Sequence, residues 1–112
     1  GNYVRYLELA RCALLQKIDY DYPQMRDSGY AWPVVDLRCK YVRPIRYGQR
    51  VVVKATITEW ENRLRMDYLV RDAGTGEVIH RAHTIQVAVD LATGEMCFAS
   101  PPVLFERLGI AP

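Results

Sequence analysis

The chain has 112 residues, half of them hydrophobic and a quarter charged, with a formal net charge of +2. That is the size of one ordinary globular domain, and the composition excludes a disordered or low-complexity segment. The charge is too small and too evenly spread for a nucleic-acid surface. Apolar stretches such as Ala13-Leu14-Leu15 and Val51-Val52-Val53 fall far short of the roughly 20 residues of a membrane span, so a soluble protein is expected, and its cysteine usage makes the expected compartment cytoplasmic. The three cysteines, Cys12, Cys39 and Cys97, are odd in number and sit in apolar patterns, which predicts reduced, buried thiols.

The first element is a helix over Asn2 to Lys17. Tyr3, Tyr6, Leu7, Ala10, Ala13, Leu14 and Ile18 recur at helical spacing, and Val4, Cys12 and Leu15 widen the stripe. Arg5, Glu8, Arg11, Gln16 and Lys17 remain as its polar positions. Asn2 stands where an N-cap belongs. A stripe this broad predicts a helix, roughly 24 Å long, wrapped by a sheet. Turn formers follow from Asp19 to Gly29, with a short helical turn around Gln24 to Arg26.

The period then changes to two. Val35, Leu37, Cys39 and Tyr41 alternate with Asp36, Arg38 and Lys40, the pattern of a half-buried antiparallel strand ended by Pro44 and Gly48. Further strands are predicted over Arg50 to Glu61, Arg63 to Asp72 and Glu77 to Asp90, with turns at Glu61-Asn62 and Ala73-Gly74-Thr75-Gly76. A short helix over Val103 to Leu108 stops at Gly109. One long helix followed by strands on tight turns reads as α+β with an antiparallel meander. Exposed edges and apolar surface predict an oligomer.

The opening N-Y-V-R-Y-L-E-L-A-R (Asn2 to Arg11) resembles the start of the central helix in hotdog-fold acyl-CoA thioesterases of the 4-hydroxybenzoyl-CoA thioesterase type. Tyr41-Val42-Arg43-Pro44 is similar to the Y-x-x-P strand end of that family, and Val87 to Gly94 to its V-x-V-D-x-x-T-G signature. The resemblance implies a single hotdog domain over residues 1–112, lacking its first strand, with active sites at a subunit interface in a homodimer or homotetramer. It implies hydrolysis of acyl-CoA or acyl-carrier-protein thioesters. The alternatives are a hotdog subunit that binds acyl thioesters without cleaving them, and a cystatin-like or NTF2-like ligand-binding domain.

A thioester carbonyl needs a polarising group, and a helix N-terminus supplies one. By resemblance, Gly1, Asn2 and Tyr3 lie there; Asn2 as a simple cap is the competing reading. The family's catalytic Asp sits in a D-x-x-G loop that has no counterpart from Gly1 onward. Glu8 is the nearest carboxylate; it either acts as nucleophile or general base, or holds a strand or pairs with Arg5 or Arg11. Trp60, Arg63 and Arg65 are similar to the turn that holds coenzyme A phosphates, although Glu61 and Asn62 depart from its basic cluster. Tyr6 is a further substrate-binding candidate.

No metal is expected, because His80 and His83 on a strand point to opposite faces. Ser28 and Ser100 lack a G-x-S-x-G elbow. With no G-x-G-x-x-G and no P-loop in the sequence, no cofactor is expected.

Overall fold

The computed structural model describes residues 2–110, leaving the side chains of residues 2–4 outside the description. The elements run α1 (Asn2–Lys17), α2 (Tyr22–Asp27), β1 (Tyr30–Ala31), β2 (Val34–Tyr41), β3 (Val51–Glu59), β4 (Leu64–Asp72), β5 (Val78–Gln86), β6 (Val89–Asp90) and α3 (Pro102–Leu108). All four major strands are antiparallel. The architecture is α+β, as the patterning requires.

The strand order is β2-β5-β4-β3, not the expected uninterrupted meander. Only β3, β4 and β5 follow one another through tight turns. The connection from residue 42 to residue 50 carries Pro44 and Gly48 and is long enough to leave β2 on the far side of β5. The predicted strand from Glu77 to Asp90 is likewise split, because β5 stops at Gln86 and β6 pairs with β1. Register carries across the gap, from Ala31 opposite Val89 to Val34 opposite Gln86. Pro33 stands between them and has no N–H to give the ladder.

One face of the sheet carries the core, with Leu64, Met66, Tyr68 and Val70 of β4 beside Ala82, Thr84 and Gln86 of β5. Helix α1 lies on this face with Leu7, Arg11 and Leu15 buried one turn apart. The wide apolar stripe is only partly covered within one chain: Leu9 is 59% exposed and Tyr6 is also on the surface. Arg11, expected among the polar positions, is instead 7% exposed. The physical reason is the i, i+4, i+8 row itself, which points at one plane whatever its chemistry.

Strand β2 is an edge strand and almost wholly exposed rather than half-buried. Cys39 on it is an exposed free thiol, against the expectation of burial, while Cys12 and Cys97 are partly covered. Burial, reinforced by the nearby Asp21 carboxylate, pushes the Cys12 thiol up, so it stays protonated.

A buried relay ties the end of α1 to the sheet. The Gln86 side-chain amide donates to the Trp32 carbonyl at 2.7 Å, and Trp32 Nε1 donates to Tyr20 Oη at 3.0 Å. Ser28 Oγ uses its proton on the Met25 carbonyl at 2.6 Å, so Tyr20 donates to Ser28 Oγ at 2.8 Å. Tyr20→Phe removes the acceptor for a buried indole N–H. It is expected to cost about 1–3 kcal/mol and to lower the melting temperature by roughly 5–15 °C in a thermal melt.

Asp72 closes the β4–β5 turn by accepting from Gly74 N at 2.8 Å and Thr75 N at 2.9 Å, and it also accepts from the Gln49 amide. These bonds, the one from Gln49 foremost, hold its carboxyl at about 2 instead of 3.8. A depressed carboxylate contributes stability that is present above the unfolded value and lost as pH falls through the folded one. The melting-temperature gap between wild type and Asp72→Asn is therefore expected to be full above about pH 4 and to close toward pH 2.

Candidate active site

Between α1 and the core face of the sheet, at the β2 edge, a cavity of about 160 Å³ is lined by Leu7, Glu8, Arg11, Val34, Leu37, Tyr68 and Thr84. Helical spacing brings Glu8 and Arg11 to one side of α1, where the carboxylate Oε1 and guanidinium Nη2 lie 4.0 Å apart. The Glu8 side chain is 62% exposed and the Arg11 side chain 8%. Arg11 Nη2 also donates to Tyr22 Oη at 3.3 Å, and its buried Nε has no partner among the described residues. Across the cavity, Tyr68 Oη and Thr84 Oγ1 share a hydrogen bond of 2.8 Å. Burial pushes the Tyr68 phenol up, so it stays neutral. The cavity thus has an apolar floor, one accessible carboxylate and one enclosed cation.

The other predicted residues fall elsewhere. Gly1, and the side chains of Asn2 and Tyr3, lie outside the described residues. Tyr6 lines a separate cavity of about 550 Å³ with Ile45, Arg46, Tyr47, Gly48, Gln49 and Val51. This places the start of α1 near the start of β3. Its other end lies by Tyr20, and through Trp32 and Gln86 by Leu64 at the start of β4. Trp60, Arg63 and Arg65 belong to that second end. Trp60 packs against the core, while Arg63 Nε and Arg65 Nη2 each bind a carboxylate, Glu59 and Asp67, at 3.1 Å. Burial alone would raise the Asp67 carboxyl, but bonds from Arg65 and Thr58 hold it below the usual range. Within one chain, then, the helix start and the proposed phosphate-binding arginines sit at opposite ends of the sheet.

His80 faces the core side and meets the Tyr41 ring at 4.5 Å between centroids. His83 faces the other side, 3.9 Å from Asp36. No group of three metal-ligating side chains occurs among the described residues. Among the described residues, no helix is long and apolar enough to cross a membrane.

Residues 1–108 match the profile of the thioesterase-like superfamily. The chain belongs to that superfamily. It is 35% identical over 109 residues to the Synechocystis protein named "Putative esterase sll0410", covering 96% of this chain and 66% of that protein. It is also 34% identical over 60 residues to "Putative acyl-CoA thioesterase YneP" of Bacillus subtilis, covering 54% of this chain and 44% of that protein. The chain therefore spans about two thirds or less of the length of these relatives. Among solved structures, the DHNA-CoA thioesterase of Staphylococcus aureus superposes with a TM-score of 0.78 at 25% identity, covering 97% of this chain and 74% of that one. The fold is the hotdog fold of these thioesterases.

For this superfamily member, Glu8 was legible in the sequence as a candidate and Arg11 as one possible pairing partner, but the burial of Arg11 and the cavity around the two were not. The one signal for that burial is register, because Arg11 lies four residues from both Leu7 and Leu15 on the buried row. Tyr68 and Thr84 carry no local signal, since their meeting depends on β4 pairing with β5.

Proposed function

We propose that the protein hydrolyses acyl thioesters, carried on coenzyme A or on an acyl-carrier protein, to free acid and thiol. The observation that carries this reading is the cavity on α1 that places the Glu8 carboxylate beside the enclosed Arg11 guanidinium, in a chain of the thioesterase-like superfamily. A thioester is already a reactive acyl group, so the site has two tasks: polarising the carbonyl and delivering water to it. The free amides and dipole at the start of α1 serve the first. Glu8 serves the second, as general base or nucleophile.

The two tasks need two chains. Six residues of helix separate Asn2 from Glu8, an axial distance of roughly 9 Å, too long for both to address one carbonyl in one protomer. Strand β2 is an open edge with Val34, Val35, Leu37 and Tyr41 exposed, which supports pairing with the β2 of a second copy. A twofold there sets the two α1 helices antiparallel, so that Glu8 of one protomer approaches the helix start of its partner. The assembly is a homodimer or a homotetramer built from it, working in the cytoplasm.

The test is a panel of aliphatic and aromatic acyl-CoAs followed by release of free thiol. Release above the rate without protein supports hydrolysis. Acyl-CoA binding without release identifies a binding subunit instead.

A further inference from the structure

The face of the sheet turned away from α1 carries a row of charge that the reaction does not use. Lys40 of β2 stands opposite Arg81 of β5, Arg81 opposite Leu69 of β4, and Leu69 opposite Lys54 of β3. One cross-strand row thus holds three cations about an apolar centre and no carboxylate. Like charges directly opposite on neighbouring strands destabilise a sheet, so the Lys40–Arg81 pair is a cost that folding does not explain. Neither residue forms an ion pair among the described residues, and nor does Lys54. The nearby carboxylates are committed: Asp36 to Arg38, and Asp67 to Arg65 and Thr58.

The row lines an open depression of about 480 Å³ whose walls include four cations and one carboxylate. That local excess of three positive charges exceeds the +2 of the whole chain. Three inter-strand spacings give the row a backbone length of roughly 14 Å. It runs across four strands, and the backbone N–H groups beneath it are spent on the ladders, so no free amides converge to cradle a single phosphate. An acidic helix fits better, because carboxylates one turn apart recur every 5–6 Å along it and about three turns would span the row. Leu69 supplies an apolar centre with a charged rim.

We propose that this row is a docking surface for an acidic protein helix, on the carrier protein that presents the acyl thioester. The inference rests on the thioesterase reading only for the identity of the partner.

The experiment titrates the full chain with an acyl-carrier protein lacking its prosthetic arm, so that docking is read without the active site. Wild type is expected to bind, more weakly at 200 mM than at 50 mM salt. Reversing the row with Lys40→Glu and Arg81→Glu is expected to weaken binding at least tenfold, and the neutral pair Lys40→Gln and Arg81→Gln by a smaller factor. Matched reversal of Lys17 and Arg26, exposed on α1 and α2, is expected to change it less than twofold. Absence of binding by wild type overturns the proposal, as does equal binding by the row variants. An equal loss of affinity for free coenzyme A also overturns it, by assigning the row to phosphates. Docking without thioester hydrolysis upholds the surface while removing the enzymatic reading.

Discussion

Replacing Glu8 by Gln is expected to lower kcat for acyl-thioester hydrolysis by about 10²- to 10⁴-fold with KM changed little, the range for losing a positioned general base or nucleophile. The substitution keeps the shape and hydrogen-bonding reach of the side chain while removing its charge. Because Glu8 is mostly exposed and contacts Arg11 only at 4.0 Å, stability should move by no more than about 0.5 kcal/mol, as for an ordinary surface pair. Steady-state kinetics beside a thermal melt separate the two effects. A kcat within threefold of wild type would take Glu8 out of the chemistry. Enclosed Arg11 bears on the same step. Its guanidinium lies 4.0 Å from the Glu8 carboxylate and is the one cation among the residues lining that cavity.

The largest effect on stability is expected from Leu15→Ala. Leu15 is 1% exposed and continues the row of Leu7 and Arg11 that seats α1 on the sheet. Deleting its branched end removes transfer energy and leaves a cavity that the rigid sheet cannot fill, about 2–5 kcal/mol. Against a total stability of about 5–15 kcal/mol for a domain, that is a large fraction, and the melting temperature should fall by roughly 10–20 °C. The measurement is a circular-dichroism melt at one fixed protein concentration, since association adds stability by mass action. A loss below about 1 kcal/mol would mean that α1 is not held by this row.

Within α1, sequence and structure part company at particular residues. Leu9 and Leu15 are the same side chain on the same helix, yet one is exposed and the other buried. Periodicity alone could not separate them, because Val4, Leu9, Cys12 and Ala13 blur the stripe until almost any face qualifies. Arg11 was misplaced for the complementary reason: its charge argued for solvent, while its register put it under the helix. In β5, polar Thr84 and Gln86 are buried. Both find partners only across strands or loops, in Tyr68 and in the Trp32 carbonyl. A buried polar group is tolerable where such a partner exists, and its existence depends on distant pairing.

By itself the sequence determined what is local. It set the helix from Asn2 to Lys17, the four long strands by their period of two, the stop at Gly109, and the thioesterase resemblance carried by short motifs at element ends. These are fixed by dihedral preference and by the alternation of side chains over one or two turns. Only the tertiary structure decided that β2 lies beside β5, that Glu8 and Arg11 share a cavity with Tyr68 and Thr84, and that Lys40, Arg81 and Lys54 fall into one row. Those outcomes depend on which strand pairs with which and in what register. Nothing within a short window of chain carries that choice, because it is made by burying one face of the whole sheet at once.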